Sequence, residues 1–325
     1  MSISLSSLLT LSIQLSLSAS LVLQSVHASR AKEGNGVLQA TLKEEGEAKS
    51  VATVADVRAQ RVIVAGLREA FPTIAITGEE PDDDPTIISP PTDRPSTLPP
   101  NPLDLSSLPP TLTLPLSSLR VYVDPLDGTA EFVNGTVQNS TVLIGIAVDG
   151  APYAGVIARP FHATCPVVAA VASLSLTFGL PSLPPPSPPF RLATSSSVTS
   201  PPLVAINALL SSPPLSMSLS PRPACGTKAL SLLEGECDLS VLSLKCSLWD
   251  TCATSALIIA AGGAVTDLSG SPIEYGDPER TGTDNKRGVV ATMPGVVPSH
   301  GEIVAMFSGI PAVRELLERE GGGGD

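Results

Sequence analysis

The stretch that decides the fold reads Asp-Pro-Leu-Asp-Gly-Thr, residues 124–129. It follows an apolar run, Leu119–Val123, which predicts a strand. Pro125 stiffens the turn after this strand, and Gly128 allows a sharp change of direction or the close approach of a phosphate. The sequence therefore predicts a tight polar turn at the end of a strand.

The oxygen atoms of this turn suit a metal ion. Asp124 and Asp127 can aim their carboxylates to one side, and the carbonyl of Leu126 can join them. Hard cations such as Mg²⁺ prefer oxygen ligands of this kind. Taken alone, the hexapeptide is interpreted equally well as a plain turn or as a site.

Two further acidic clusters lie beside predicted elements. Gly78-Glu79-Glu80 follows a short predicted strand, Ile74–Ile76, and Trp249-Asp250 precedes a predicted helix, Thr251–Ala261. Each cluster by itself is typical of a solvated turn. Carboxylates at the ends of separate elements can converge on one cation, so the three clusters together predict a metal-assisted hydrolytic site.

Composition limits the partners. The chain has 325 residues, with 19 Lys and Arg against 31 Asp and Glu, a net charge of −12. Such a surface should repel nucleic acid and anionic membranes. It should also repel a phosphorylated small molecule, so a phosphatase on this chain needs a bound cation. We expect a small phosphorylated substrate, no nucleic acid, no stable membrane association, and a monomer or homodimer.

The cysteines and histidines form no recognisable metal motif. The five cysteines are odd in number and irregularly spaced, without a Cys-x-x-Cys pair, and the three histidines are scattered. We expect the thiols to be mostly reduced and buried.

The N-terminal segment has several interpretations. Residues 1–29 contain no Lys, Arg, Asp or Glu and are rich in Leu and Ser. A secretory signal would carry a positive start, and a membrane span would be less diluted by serine. We favour an amphipathic first helix of the fold and a cytoplasmic protein, with organelle targeting as an alternative.

The chain divides into two predicted halves. An α+β domain spans residues 1–164, with an exposed Pro-rich insertion at 81–118, and an α/β domain spans 165–325, with a second Pro-rich break at 180–189. Helices and strands alternate in the second half, which predicts an α/β layer. Other predicted elements are a helix from Asp56 to Phe71, a hairpin of Val142–Val148 and Tyr153–Ile157, helices Leu203–Leu210 and Ala229–Glu234, and strands Leu239–Leu244 and Ala264–Leu268.

Together, these motifs resemble the lithium-sensitive, magnesium-dependent phosphatases that include inositol monophosphatase, fructose-1,6-bisphosphatase and the 3'(2'),5'-bisphosphate nucleotidases. The matching stretches are TVADVRAQ (53–60), ITGEE (76–80), VDPLDGTAEFVNG (123–135), TVLIGIAVDGAPYAGVIARPF (141–161), CGTKALSLLEGECDLSV (225–241) and WDTCATSALIIAAGGAVTDLSG (249–270). The resemblance implies a layered αβαβα sandwich, two or three Mg²⁺ ions and uncompetitive inhibition by millimolar Li⁺. DPLDGT and WDTCA are most similar to the nucleotidase branch, which removes the 3'-phosphate of adenosine 3',5'-bisphosphate.

The resemblance also implies roles for single residues. It assigns metal binding to Glu79, Asp124, the Leu126 carbonyl, Asp127 and Asp250, activation of the attacking water to Asp56 and Thr129, and substrate contacts to Gly128, Thr129, Ser197, Gly226 and Lys228. A Thr hydroxyl bonded to a carboxylate can pass on the proton of a water, so no covalent phosphoenzyme is needed. For Lys228 the alternative is a surface lysine at a helix start. Glu80 is interpreted as a solvated neighbour.

One segment departs from the nucleotidase pattern. Residues 195–199 read Ser-Ser-Ser-Val-Thr, without the histidine that helps to hold the nucleotide in that branch. An inositol phosphate phosphatase and a non-catalytic nucleotide-binding relative therefore remain alternatives. A haloacid-dehalogenase phosphatase is disfavoured, because its two aspartates are separated by one residue, whereas Asp124 and Asp127 are separated by two.

Overall fold

The computed structural model describes residues 2–32, 41–42, 51–52, 54–81, 97–195, 198–242 and 246–321. The helices are α1 (Leu5–Lys32), α2 (Val54–Ala70), α3 (Thr129–Asn134), α4 (Pro201–Ser211), α5 (Cys225–Leu233), α6 (Leu248–Ala260), α7 (Pro278–Thr281), α8 (His300–Phe307) and α9 (Pro311–Gly321). The strands are β1 (Ser2–Ser4), β2 (Thr41–Leu42), β3 (Val51–Ala52), β4 (Ala75–Gly78), β5 (Thr113–Pro115), β6 (Leu119–Asp127), β7 (Thr141–Val148), β8 (Ala151–Ala158), β9 (Val167–Val171), β10 (Leu176–Phe178), β11 (Arg191–Thr194), β12 (Ser218–Pro221), β13 (Leu239–Leu242), β14 (Ala264–Thr266) and β15 (Val289–Thr292).

Two mixed sheets carry the architecture. The first has the order β10-β9-β8-β7-β6-β4, with β4 parallel to β6 and the other pairs antiparallel. The second has the order β12-β11-β13-β15-β14. Runs of buried Val, Ile, Leu and Ala form both sheets, because these residues suit strands that are covered on both faces.

The helices form three layers around these sheets. α1 and α2 cover the outer face of the first sheet, α5 and α6 lie between the sheets, and α4, α8 and α9 cover the second sheet. This order is the predicted αβαβα sandwich, which is confirmed.

The middle layer lies very close to the first sheet. A Cβ added to Gly145 would lie 2.5 Å from the Cβ of Cys252, and one added to Gly155 would lie 2.5 Å from the carbonyl oxygen of Ala253. These glycines let α6 pack directly against the first sheet. This close packing fixes the distance between the first turn of α6 and the end of β6.

The N-terminal segment forms the first helix of the fold, as predicted, but the helix is not amphipathic. α1 is buried on most of its circumference, including Leu8, Ser12, Ile13 and Ser16. Its serines can be buried because their hydroxyls donate to carbonyls of the same helix, for example Ser12 Oγ to Leu8 O at 2.8 Å. Among the described residues, α1 is also the one helix long and apolar enough to cross a membrane, although most of it is packed inside the protein.

Two predictions about organisation need correction. The division at residues 164/165 cuts through the first sheet, since β9 and β10 belong to it; the change of sheet falls between Phe178 and Arg191.

The second part of the 81–118 insertion is not simply exposed. Leu108 and Leu114 are buried in the first core, and β5 pairs with β1. The reason is that apolar side chains interrupt its Pro-rich sequence. Residues 82–96 lie outside the described part.

Candidate active site

The hexapeptide of residues 124–129 lies at the end of β6, which pairs with β7 on one side and with the edge strand β4 on the other. β6 continues through Asp127, beyond the predicted end at Val123, and its register against β7 shifts between Asp124 and Asp127. This irregularity accommodates Pro125, which cannot donate to a ladder. Asp124 Oδ1 accepts a 3.0 Å hydrogen bond from the Leu126 amide. Both aspartates are buried.

Three hydrogen bonds hold the carboxylate of Asp127. The amides of Cys225 and Gly226, at the start of α5, donate to its two oxygens at 3.0 and 2.7 Å, and the Thr141 hydroxyl donates at 2.6 Å. Burial nevertheless raises the pKa of Asp127, against the opposing effect of these bonds and of the Lys228 ammonium. Asp127 therefore connects the two halves of the chain.

Gly226 and Lys228, which were predicted to contact the substrate, lie near Asp127 and help to hold it in place. A Cβ on Gly226 would overlap the Thr141 hydroxyl, so glycine is needed for the close approach of the α5 backbone to Asp127. Lys228 is buried, so its interpretation as a surface lysine is wrong. Its Nζ donates to the carbonyls of Pro223 and Ala224 at 3.0 and 3.5 Å. A direct contact with substrate stays a prediction for both.

Asp250 lies in the first turn of α6 rather than before it. The helix begins at Leu248, and Asp250 Oδ2 accepts from the amide of Ser247, the residue that caps the helix. Burial, followed by the charges of Glu79 and Asp127, raises the pKa of Asp250 to about 7. A carboxyl with this pKa is poised to exchange its proton for a cation.

Asp124 responds to the same crowding. Burial raises its pKa well above the ordinary value, and the charges of Glu79, Asp127 and Asp250 raise it further. Carboxylates enclosed together in this way repel one another, and a divalent cation relieves the repulsion. The oxygen-rich set therefore fits a hard metal ion such as Mg²⁺.

A second acidic group lies at the end of β4. Carboxylate oxygens of Asp56, Glu79 and Glu80 all lie within 4.8 Å of one another. Glu80 is buried, so its interpretation as a solvated neighbour is wrong. The Gln60 side chain explains its position, since it donates to the Glu80 carbonyl at 2.5 Å and accepts from the Glu80 amide at 2.9 Å.

Thr129 lies beside Asp56, as the predicted pair requires. Its Oγ is 2.9 Å from the Leu126 carbonyl and 3.4 Å from Asp56 Oδ1. Gly128 precedes α3 with φ of +86°, and a Cβ there would lie 2.8 Å from the Asn139 carbonyl oxygen. Gly128 is thus required by the backbone, and its predicted contact with a phosphate stays a prediction.

Sequence reasoning missed three residues that the fold brings to this site. Thr141 and Gln60 act through hydrogen bonds to Asp127 and to the Glu80 backbone. Cys225 lies closer still. Its Sγ and carboxylate oxygens of Asp127 and Asp250 all lie within 4.8 Å of one another. No spacing rule could have found Cys225, because 98 residues separate it from Asp127. Predicted Ser197 lies outside the described residues.

The site thus combines seven of the predicted residues around the ends of β4 and β6. Those residues are Asp56, Glu79, Asp124, Leu126, Asp127, Thr129 and Asp250. A buried acidic cluster with an adjacent hydroxyl–carboxylate pair is suited to hydrolysis of a phosphate ester.

The fold and the site define a phosphatase, and comparison with known proteins places it in a family. Residues 4–304 match the inositol monophosphatase family. The chain belongs to this family. It is 31% identical to 3'(2'),5'-bisphosphate nucleotidase 1 of Homo sapiens over 258 residues, covering 76% of this chain and 80% of that protein. It is 27% identical to the Golgi-resident adenosine 3',5'-bisphosphate 3'-phosphatase of Bos taurus, covering 73% and 63%.

Solved structures agree with the fold. Inositol monophosphatase II of Staphylococcus aureus superposes with a TM-score of 0.67 at 17% identity, covering 98% of this chain and all of that one (100%). Inositol monophosphatase of Anabaena superposes with a TM-score of 0.62 at 17% identity, covering 96% and 98%.

Proposed function

We propose that this phosphatase is Mg²⁺-dependent and hydrolyses the 3'-phosphate of adenosine 3',5'-bisphosphate, with the corresponding phosphosulfate as a second substrate. The observation that carries the metal dependence is the grouping of two buried carboxyls, Asp124 and Asp127, with the half-buried Asp250, which a divalent cation would stabilise. Three relatives that are 30–31% identical to this chain are named 3'(2'),5'-bisphosphate nucleotidase 1, and these names support the choice of a nucleotide substrate.

The residues that would hold Mg²⁺ are Glu79, Asp124, Asp127, Asp250 and the carbonyl of Leu126. When bound, the ions supply Lewis acidity and neutralise phosphate charge. The role of Asp127 depends on the α5 amides and the Thr141 hydroxyl, which hold its carboxylate in one orientation. An oriented ligand binds with less loss of entropy than a mobile one.

Asp56 and Thr129 would handle the proton of the attacking water. The Thr129 hydroxyl has one proton and two acceptors within reach, Leu126 O and Asp56 Oδ1. When it donates to Asp56, its lone pairs face away from the carboxylate and can orient the water. Asp56 can then receive the proton through this hydroxyl.

An inositol phosphate phosphatase is the second candidate. A relative from Drosophila melanogaster that is 29% identical to this chain is named putative inositol monophosphatase 3. Val198 favours this candidate as well, because it packs against the core of the second half and offers no polar group to a nucleotide.

The proposed enzyme acts on small molecules, as a monomer or homodimer. Its cellular location stays a prediction.

Phosphate release from a substrate panel tests the proposal. With Mg²⁺ present, we expect turnover of adenosine 3',5'-bisphosphate to exceed that of inositol 1-phosphate and inositol 1,4-bisphosphate, and millimolar Li⁺ to inhibit it. Turnover of the inositol compounds alone would replace the nucleotide by the second candidate. The variant Asp124→Ala should be inactive, whereas Glu318→Gln, on the exposed face of α9, should match the wild type. Full activity of Asp124→Ala would disprove the site.

A further inference from the structure

Cys225 gives this acidic site a donor of a different chemical kind. It is the first residue of α5, and its amide already donates to Asp127 Oδ1 at 3.0 Å. Its Sγ lies within 4.8 Å of a carboxylate oxygen of Asp127 and one of Asp250, which also lie within that distance of each other. Metal–oxygen and metal–sulfur bonds measure about 2.0–2.3 Å, so three donor atoms within 4.8 Å of one another are near the spacing of ligands around one metal, and they can bind it together after a small inward adjustment of their side chains.

The Cys225 sulfur changes which metal ion the group of Asp127, Cys225 and Asp250 prefers. Mg²⁺ takes oxygen ligands and binds thiolates poorly. Zn²⁺ and other softer divalent cations accept sulfur and oxygen together, and they bind mixed donor sets more tightly than Mg²⁺ does.

We propose that Asp127, Cys225 and Asp250 form a binding site for a soft divalent cation of the Zn²⁺ and Cd²⁺ class, with the Cys225 sulfur as a direct ligand. As the sulfur–metal bond forms, the thiol releases its proton to solvent. A soft ion bound there occupies two carboxylates that the proposed reaction assigns to Mg²⁺. Such an ion therefore inhibits the phosphatase while Mg²⁺ is in excess. This inhibition, but not the binding itself, rests on the proposed function.

Titration of the full-length protein with Cd²⁺ in the absence of substrate tests the binding. A bond between sulfur and Cd²⁺ produces a charge-transfer absorption in the ultraviolet that oxygen ligands do not produce. We expect this absorption in the wild type, also with Mg²⁺ in excess, and its loss in Cys225→Ala and Cys225→Ser. Loss of a supporting residue around a metal lowers its affinity by about 10–100-fold, so loss of the ligand itself should lower Cd²⁺ affinity at least as much.

Two controls make the result decisive. Cys165→Ala removes a partly exposed thiol that donates weakly to Val167 O and Gly179 O, away from the acidic residues, and it should keep the absorption. If the Cys225 variants do not fold, the ¹¹³Cd chemical shift of the wild type still reports whether sulfur is bound. An oxygen-only shift, or an absorption that survives in a folded Cys225 variant, would overturn the proposal.

The same measurements separate this site from the proposed substrate. An absorption that depends on Cys225, in a protein that releases no phosphate from the bisphosphate nucleotide, would leave the cation site standing and refute the substrate. Turnover of the nucleotide without the absorption would do the reverse. If the cation site and the substrate are both confirmed, the Zn²⁺ concentration that halves activity should be at least about tenfold higher for Cys225→Ser than for the wild type.

Discussion

The amide of Gly226 donates a 2.7 Å hydrogen bond to Asp127 Oδ2 across 99 residues of sequence. Through this bond the start of α5, in the second half of the chain, positions the carboxylate that ends β6 in the first. The orientation of the central acidic residue therefore depends on how the two halves pack.

Replacing Gly226 should disrupt this arrangement. In Gly226→Ala the new methyl group would overlap the Thr141 hydroxyl and lie 2.9 Å from Asp127 Oδ2. Since α5 must then move away from Asp127, we expect Mg²⁺ affinity and phosphatase activity to fall about 10–100-fold. Titration of activity with Mg²⁺ measures both. Gly276→Ala is the matched control, because a Cβ at Gly276 meets no atom within 4 Å. Equal behaviour of the two variants would contradict the role of Gly226.

Removing metal should make stability depend on pH. Asp124, Asp127 and Asp250 have raised pKa values in the folded protein, about 7 for Asp250, because of burial, and for Asp124 and Asp250 also because of repulsion by neighbouring carboxylates. The folded protein thus holds protons that the unfolded chain has already lost above a pH of about 4. In EDTA, the unfolding temperature should therefore decrease as the pH rises from about 4 to about 7, and Mg²⁺ should reverse the decrease at the upper end.

A charge-removing variant checks the origin of this dependence. Asp124→Asn keeps an oxygen for the Leu126 amide and removes one negative charge. In EDTA it should unfold at a higher temperature than the wild type at pH 7 and show a weaker dependence on pH. A wild-type unfolding temperature that rises across the same range in EDTA would show that the carboxyls are not crowded as described.

Gln60 should tune metal affinity from outside the ligand set. Its side chain bonds both the amide and the carbonyl of Glu80, and so holds the backbone next to Glu79. In Gln60→Ala we expect the Mg²⁺ concentration for half-maximal activity to rise about 10–100-fold, with turnover largely restored at saturating Mg²⁺. Gln14→Ala, which removes a bond to the Pro99 carbonyl far from the acidic residues, should leave the Mg²⁺ requirement unchanged.

The hydroxyl of Thr129 should matter more than its methyl group. Thr129→Val removes the donor that lies near Asp56 and Leu126, and turnover should fall by about 10²–10⁴-fold, the range typical of lost general acid–base assistance. Thr129→Ser should retain most of the activity. Single-turnover measurements at saturating Mg²⁺ separate this effect from metal binding. Similar losses in both variants would indicate a packing role instead.

An ion pair between the first sheet and the middle layer should contribute to stability. Arg159 follows β8 and bonds Glu234, which follows α5, with side chains 10% and 29% exposed. Glu234→Ala should lower the free energy of unfolding by about 1.5–3 kcal/mol, because a largely buried guanidinium loses its partner. Glu320→Ala removes the partner of Arg319, which is 70% exposed, and should have little effect. Denaturant unfolding with Mg²⁺ present measures both changes.

Local patterns predicted the elements well where the chain is strongly periodic. The helix expected at Asp56–Phe71 is α2 (Val54–Ala70), and the hairpin expected on both sides of Asp149-Gly150 is formed by β7 and β8. Predictions failed where burial depends on distant residues. Residues around Leu108 and Leu114 read as an exposed insertion, but they cover the first core.

By itself, the sequence determined the turn at residues 124–129 and the family resemblance, because short motifs can be recognised without the fold, and that resemblance pointed to Asp56, Glu79 and Asp250. The tertiary structure alone decided what surrounds them. It buried Lys228 behind Asp127 and brought the Cys225 sulfur to the carboxylates of Asp127 and Asp250. These contacts join residues about 100 positions apart, and they exist only because α5 and α6 pack between the two sheets.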